Sequence, residues 1–211
     1  MDNYKTYVAS FAKDKDPLIV EMEQFAEEHH VPIMDSDGID LFISLLRIQN
    51  PERILEIGSA IGYSAIRIAG ALPKASIVTI ERDTGRYLKA VEFINKGGYT
   101  DRLSIVEADA LLTDSDKVFS KTYDALFIDA AKGQYKRFFE KYAPIVNTGG
   151  VIYCDNMFMH GIVLHGDKDI PRRNRTMIRN LKEFTEWVMT NPGYETSLLP
   201  VGDGLLIAVK K

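Results

Sequence analysis

Apolar positions repeat on two periods along the chain, and the change from one to the other predicts its elements. Leu18, Met22 and Phe25 lie on a helical period within 17–29, as do Ile39, Phe42, Leu45 and Leu46 within 37–48. Beyond residue 52 the pattern shortens. Apolar runs at 53–57, 76–81, 103–107, 123–129 and 150–155 read as buried strands, separated by helical stretches at 63–71, 84–96 and 134–142. Strands that alternate with helices build a parallel sheet covered on both faces. The end differs. A long helix at 172–189 precedes two strands, 194–199 and 205–210, divided by Pro200-Val201-Gly202-Asp203-Gly204, and this predicts an antiparallel hairpin. The expectation is one α/β domain over 1–211, Rossmann-like, with a mostly parallel seven-stranded sheet and the hairpin at its end. Residues 1–50 would cover the site or an interface between two copies.

Composition narrows the class. A chain of 211 residues has room for one full core, and 45% hydrophobic with 27% charged residues is ordinary for a globular domain. No apolar run approaches the roughly 20 residues that a membrane helix needs, and Met1-Asp2-Asn3-Tyr4-Lys5 does not open like a signal peptide. The single cysteine, Cys154, sits in the run Val151-Ile152-Tyr153-Cys154 as a buried thiol, without an internal disulfide partner. Together these predict a cytoplasmic protein without membrane contact. The net charge of −4 argues against broad nucleic-acid binding but leaves room for a local basic patch. In the leading helices, Leu18, Met22, Phe25, Phe42 and Leu46 offer more apolar surface than one sheet face needs, so a homodimer is expected.

Candidate chemistry gathers at the strand ends, where doubly wound sheets bind ligands. Residues 54–64, Ile-Leu-Glu-Ile-Gly-Ser-Ala-Ile-Gly-Tyr-Ser, read as strand, glycine turn and helix start. A dinucleotide turn needs glycine where Ala60 stands, to bring the backbone against a pyrophosphate, so a dehydrogenase is disfavoured. Glu56 beside the turn suits a cationic, phosphate-free nucleoside instead, and S-adenosylmethionine, with its sulfonium and ammonium groups, is such a ligand. Glu81 ends the second strand about 20 residues past the turn, placed to accept from both ribose hydroxyls. Beyond the third strand, Asp109 is placed to accept from an adenine amino group and the Ala110 amide to donate to a ring nitrogen. Any one of these acids alone reads as a helix cap or a solvated loop. Three at successive strand ends, behind an E-x-G-x-x-x-G turn, do not.

The fourth strand ends Phe127-Ile128-Asp129-Ala130-Ala131-Lys132, and the fifth ends Tyr153-Cys154-Asp155-Asn156. If these strands are neighbours, Asp129, Asp155 and Asn156 share one rim. Two carboxylates and an amide carbonyl are hard oxygen donors, suited to Mg²⁺, Mn²⁺ or Ca²⁺ rather than to zinc. Lys132, three residues past Asp129, reaches the same cavity either as a base or as a charge that stabilises an oxyanion. Taken singly, Asp155-Asn156 would only turn the chain and Lys132 would be a surface lysine. Histidine adds little: His29 and His30 end a helix, while His160 and His165 fall in a loop without metal-ligand spacing.

With Leu55-Glu56-Ile57-Gly58, Ile80-Glu81, Asp129-Ala130-Ala131-Lys132-Gly133-Gln134-Tyr135 and Asp155-Asn156 in place, the chain resembles the cation-dependent class I O-methyltransferases. That group contains the catechol and caffeoyl-CoA enzymes. The resemblance runs from Val31-Pro32-Ile33-Met34 to Gly202-Asp203-Gly204-Leu205-Leu206-Ile207. It implies S-adenosylmethionine near Met34, Gly58, Tyr63, Ser64, Glu81, Asp109 and Ala110, with Glu56 and Asp129 bordering it. It also implies Mg²⁺ on Asp129, Asp155 and Asn156, with Asp129 and Lys132 at the reacting oxygen. Within the group, the short N-terminus and the Pro-Val-Gly-Asp-Gly-Leu segment look like the bacterial branch that methylates 5-hydroxyuridine at the tRNA wobble position.

One feature of the residues themselves points to RNA. Between 168 and 182 stand Lys168, Arg172, Arg173, Arg175, Arg179 and Lys182 against a single acid, Asp169. Arginine forks at Arg172, Arg173 and Arg175 suit the phosphates of an anticodon loop. The phosphates of a coenzyme A thioester would suit them too, and a solvated helix face is the commoner meaning of such a run. The chemistry expected is therefore methylation of a tRNA 5-hydroxyuridine to 5-methoxyuridine, with a small catechol-type or caffeoyl-CoA-type acceptor as the alternative.

Overall fold

The computed structural model of the chain describes residues 7, 10, 11, 14–165 and 170–211; Lys168 and Asp169 lie outside them. The first helix, α1 (Pro17–Glu28), starts where Asp16 accepts from the Leu18 amide, with proline in its first turn. The second, α2 (Ser36–Gln49), starts on Asp35, which accepts from the Gly38 amide at 2.7 Å, and stops at Asn50 in a left-handed conformation. Then follow β1 (Arg53–Ile57), α3 (Tyr63–Ala71), β2 (Ser76–Glu81), α4 (Thr84–Lys96), β3 (Leu103–Glu107), α5 (Asp116–Phe119), β4 (Tyr123–Ile128), α6 (Tyr135–Tyr142), β5 (Val146–Cys154), α7 (Arg175–Met189), β6 (Tyr194–Leu199) and β7 (Leu205–Lys210).

The seven strands form one sheet in the order β3-β2-β1-β4-β5-β7-β6. The first five pair in parallel, and β7 runs antiparallel to both β5 and β6. Successive strand residues point to opposite faces. Ile54, Phe127 and Tyr153 pack beneath α1 to α4, while Leu55, Leu126 and Ile152 pack against α6 and α7. Phe42 of α2 illustrates the first face, its ring centroid 4.3 Å from that of Phe127 and 5.0 Å from that of Tyr153.

That packing corrects the ground for a homodimer. Met22, Phe42 and Leu46 are fully buried within the chain's own core, and Leu18 and Phe25 are partly covered by it. The apolar surplus of the leading helices is the lining of one sheet face. Two boundaries also move. β5 begins at Val146 rather than near 150, because the register shifts opposite Tyr123 and Ala125 and lets Gly149 take a left-handed φ inside the strand. α7 begins at Arg175, after a 3-10 turn over Arg172–Asn174 that follows Pro171. Among the described residues no helix is long and apolar enough to cross a membrane. Strand order reverses between β1 and β4, and ligands bind at the carboxyl ends beside such a reversal.

Candidate active site

The glycine turn after β1 is shaped by its neighbour strand. The Asp129 amide donates to the Ile57 carbonyl at 2.9 Å, which brings the backbone of β4 against Gly58. A Cβ on Gly58 would stand 2.3 Å from the Asp129 carbonyl oxygen, and its φ is +91°, so no other residue fits. Ala60 takes a left-handed φ of 46° and donates its amide to Glu81 Oε2 at 2.8 Å. Glu81 Oε1 accepts from the Arg82 and Asp83 amides at 2.9 and 2.8 Å. The carboxylate at the end of β2 is thus held rigidly beside the turn, with lone pairs left for further donors.

Glu56 lies deeper and is 0% exposed. Its oxygens accept from the Ser64 hydroxyl and from Thr79 Oγ1, which faces it across the β1–β2 register. Burial pushes its pKa up to about 7, against the pull of those two hydroxyls, and the nearby charges of Asp129 and Glu81 raise it further. Ser59, in the same turn, is 3% exposed, and its hydroxyl finds no hydrogen-bond partner among the described residues. Buried polar groups are nearly always satisfied. A raised acid and an orphaned hydroxyl fit a ligand that brings both a positive charge and a polar end, as the amino-acid part of S-adenosylmethionine does.

The other predicted cofactor residues fall along the same edge. Met34 is buried just ahead of the Asp35 cap of α2. Asp109 Oδ1 accepts from the Leu111 amide at 2.8 Å, and the Ala110 carbonyl accepts from the Tyr142 hydroxyl at 2.6 Å, which fixes that loop. Tyr63 stands at the turn, but its hydroxyl donates to Glu23 of α1 at 2.7 Å and accepts from Arg67. That hydroxyl is thus tied to α1, and the Ser64 hydroxyl is engaged by Glu56.

At the ends of β4 and β5 the acids meet. Asp155 is 2% exposed, and its pKa is pushed up to about 7, first by burial and then by the charge of Asp129. Lys132 Nζ lies 2.5 Å from Asp129 Oδ1 and pulls the other way. The buried Tyr135 hydroxyl donates to the Asp155 carbonyl at 2.8 Å. Asn156 follows in a left-handed conformation, its φ 55°, with its amide nitrogen 3.4 Å from Asp203 Oδ2. Among the described residues no group of three or more His, Cys, Asp and Glu side chains is disposed to hold a metal. The set here is two carboxylates and an amide, and it fits a hard cation, whose charge would relieve the repulsion that raises Asp155. Cys154, fully buried beside it, is an inert thiol, since burial drives its pKa far up.

The arginine patch borders this rim. The side chains of Arg172, Arg173 and Arg175 are exposed at the start of α7. That helix packs against the Lys132–Gln134 turn, where Asn180 Nδ2 donates to the Gly133 carbonyl at 3.0 Å. Arg175 Nε donates to the Ile170 carbonyl at 3.0 Å, and Arg179 faces Glu183 at 3.8 Å.

Four contributors were not singled out from sequence: Ser59, Thr79, Tyr135 and Asp203. Thr79 carried a signal, as a polar residue inside the buried run Ile77-Val78-Thr79-Ile80. Asp203 stands between two glycines in a segment that carries the family resemblance, with no role of its own legible there.

A family profile for O-methyltransferases matches residues 9–211. A caffeoyl-CoA O-methyltransferase of Populus kitakamiensis is 32% identical over 170 residues, covering 77% of this chain and 72% of the relative. A Staphylococcus aureus protein provisionally assigned as a caffeoyl-CoA O-methyltransferase superposes with a TM-score of 0.91 at 35% identity, over 99% of both chains. An O-methyltransferase of Bacillus cereus, solved in complex with S-adenosylhomocysteine, gives 0.82 at 27% identity over 98% of this chain and 96% of its own. The glycine turn, the strand-end acids and the sheet order agree with these likenesses: the chain belongs to the O-methyltransferase family, as a class I S-adenosylmethionine-dependent enzyme.

Proposed function

We propose that the protein methylates one hydroxyl of a vicinal oxygen pair on a small acceptor of the catechol or caffeoyl-CoA type, with a divalent cation such as Mg²⁺ at the rim. The observation that carries this is the meeting of Asp129, buried Asp155, Asn156 and Lys132 at adjacent strand ends. The printed names of the Populus and Staphylococcus proteins support the acceptor class. When bound, S-adenosylmethionine supplies a methyl group already activated as a sulfonium, and the cation supplies a Lewis acid that lowers the pKa of the acceptor hydroxyl. The chain's own residues do the rest. Glu81 holds the ribose, Asp109 and Ala110 the base, and Glu56 with Ser59 the amino-acid end. Asp129, Asp155 and Asn156 would hold the cation, and the rim would bring donor and acceptor together for the transfer. Lys132, whose Nζ lies 2.5 Å from Asp129 Oδ1, stands at the acceptor oxygen, either as its base or as a charge that stabilises the oxyanion.

The test is methyl transfer from labelled S-adenosylmethionine to caffeoyl-CoA, to a free catechol and to total tRNA, each with and without chelator. Transfer to the catechol compounds that stops in chelator, and falls at least about a hundredfold in Asp155→Ala, is the expected result. Full activity in chelator, or no transfer to either catechol compound, overturns the proposal. A second reading, conversion of tRNA wobble 5-hydroxyuridine to 5-methoxyuridine, is favoured by the exposed Arg172 and Arg173 beside the Gly133 turn. In 5-hydroxyuracil the O5 hydroxyl sits next to the O4 carbonyl, an oxygen pair that one cation site can serve as it serves a catechol. Transfer to tRNA in the same assay decides for it.

A further inference from the structure

The loop between β6 and β7 lies beside the segment that carries Asn156, because Leu206 of β7 pairs with Cys154 of β5. Asp203 is 9% exposed, and both of its carboxylate oxygens are engaged there. Oδ1 accepts from the His160 amide at 2.5 Å, and Oδ2 faces the Asn156 side-chain nitrogen at 3.4 Å and His160 Nδ1 at 3.6 Å. The backbone joins in: the Phe158 amide donates to the Asp203 carbonyl at 2.8 Å and the Met157 amide to the Gly204 carbonyl at 3.0 Å. Gly204, at φ +90°, lies so close to Phe158 that a Cβ would come within 2.7 Å of its ring. The segment held in this way has Asn156, Met159 and His160 all in left-handed conformations, and such backbone persists only where its surroundings enforce it.

We infer that Asp203 is the positioning residue of the cation site, holding the Asn156 carboxamide with its nitrogen toward the hairpin and its oxygen toward the rim. A carboxamide has a donor end and an acceptor end of nearly equal shape, so an asparagine can turn either way unless a neighbour decides. A carboxylate decides, because it can only accept from the asparagine nitrogen. Only the oxygen end can ligate a hard cation. Partners one step removed from a metal commonly orient its ligands in this manner. The inference rests on Asp129, Asp155 and Asn156 being the ligands.

The experiment measures Mn²⁺ binding by electron paramagnetic resonance in the whole chain, with S-adenosylhomocysteine affinity and melting temperature recorded alongside. In wild type, Mn²⁺ should bind and Asp155→Ala should abolish it. Asp203→Ala should raise the Mn²⁺ dissociation constant about 10- to 100-fold while S-adenosylhomocysteine binding is kept. Asp203→Asn, of equal size, should give a smaller rise, and it carries the test if the alanine variant does not fold. The decisive arm is Asn156→Asp, because both oxygens of an aspartate are acceptors and its orientation no longer matters. In that background Asp203→Ala should cost no Mn²⁺ affinity and should improve it, since a like charge is removed. An equal loss in both backgrounds assigns Asp203 to general support of the loop and overturns the inference, as does unchanged Mn²⁺ affinity in Asp203→Ala. Absence of Asp155-dependent Mn²⁺ binding in wild type would instead overturn the ligand assignment on which the inference stands.

Discussion

Glu56 sets the clearest single-residue expectation. A carboxyl whose pKa is about 7 in the folded chain and near 4.5 unfolded holds its proton longer in the native state. Its contribution to stability is therefore full below about pH 4.5 and is lost as pH rises toward about 7, since the native state must then ionise a buried acid. The ligand-free protein should lose stability across that window, and Glu56→Gln should flatten the loss; parallel melts of the two proteins measure it. A cationic ligand beside Glu56 reverses the preference. S-adenosylmethionine binding at pH 6 should release a proton in wild type, seen as a buffer-dependent calorimetric enthalpy. Glu56→Gln should reduce that release and weaken binding about 10- to 100-fold, the worth of a charge-assisted contact. Equal proton release in both proteins would remove Glu56 from the cofactor site.

Among the elements, the strands and helices of the central sheet were legible because their apolar runs are short, dense and divided by polar turns. The glycine turn and the acids at 56, 81, 109, 129 and 155 fall at or just beside strand ends, as the same runs predict. Pairings across the chain were not legible. Thr79 meets Glu56 only through the β1–β2 register, and Asp203 meets Asn156 over 47 residues of separation. The four-residue α5 is too short to show a period. Asp124 is a further case, a charged residue at the start of β4 that joins three elements. Its Oδ2 accepts from the Glu52 and Arg53 amides at 3.0 and 2.9 Å, its Oδ1 from Asn147 at 2.8 Å, and its carbonyl from Gln49 at 2.6 Å. Burial would raise its pKa, but the Arg53 amide, Asn147 and the Glu52 amide hold it below the usual carboxylate range. That stability is present above the unfolded pKa and lost as pH falls through the folded one. Asp124→Ala should cost about 1–3 kcal/mol at pH 7, a drop of several degrees in melting temperature, and less at a pH below the folded pKa of Asp124. An identical deficit at both pH values would show the loss to be packing rather than charge.

For the whole molecule the distribution of charge matters more than its sum. A chain of net charge −4 gathers Arg172 and Arg173 in the turn before α7 and Arg175 at its start, and that helix packs against the Lys132–Gln134 turn next to the rim proposed to take the acceptor. If these arginines hold the phosphates of the acceptor, their removal should act on acceptor binding and leave the transfer step alone. Arg175 also holds the Ile170 carbonyl, so the informative variant changes Arg172 and Arg173 to Ala and leaves Arg175 in place. Its KM should rise roughly tenfold or more for whichever phosphate-bearing acceptor the enzyme uses, caffeoyl-CoA or tRNA, with kcat little changed. For a free catechol, which carries no phosphate, both constants should stay near wild type. Wild-type affinity for the anionic acceptor should fall as salt rises, and the variant should show a shallower slope, because fewer phosphate contacts remain to be screened. Equal losses on the neutral and anionic acceptors would mean a disturbed α7 rather than a binding surface. Unchanged kinetics on all three would make these arginines a solvated helix face, and acceptor choice would then rest on the rim itself.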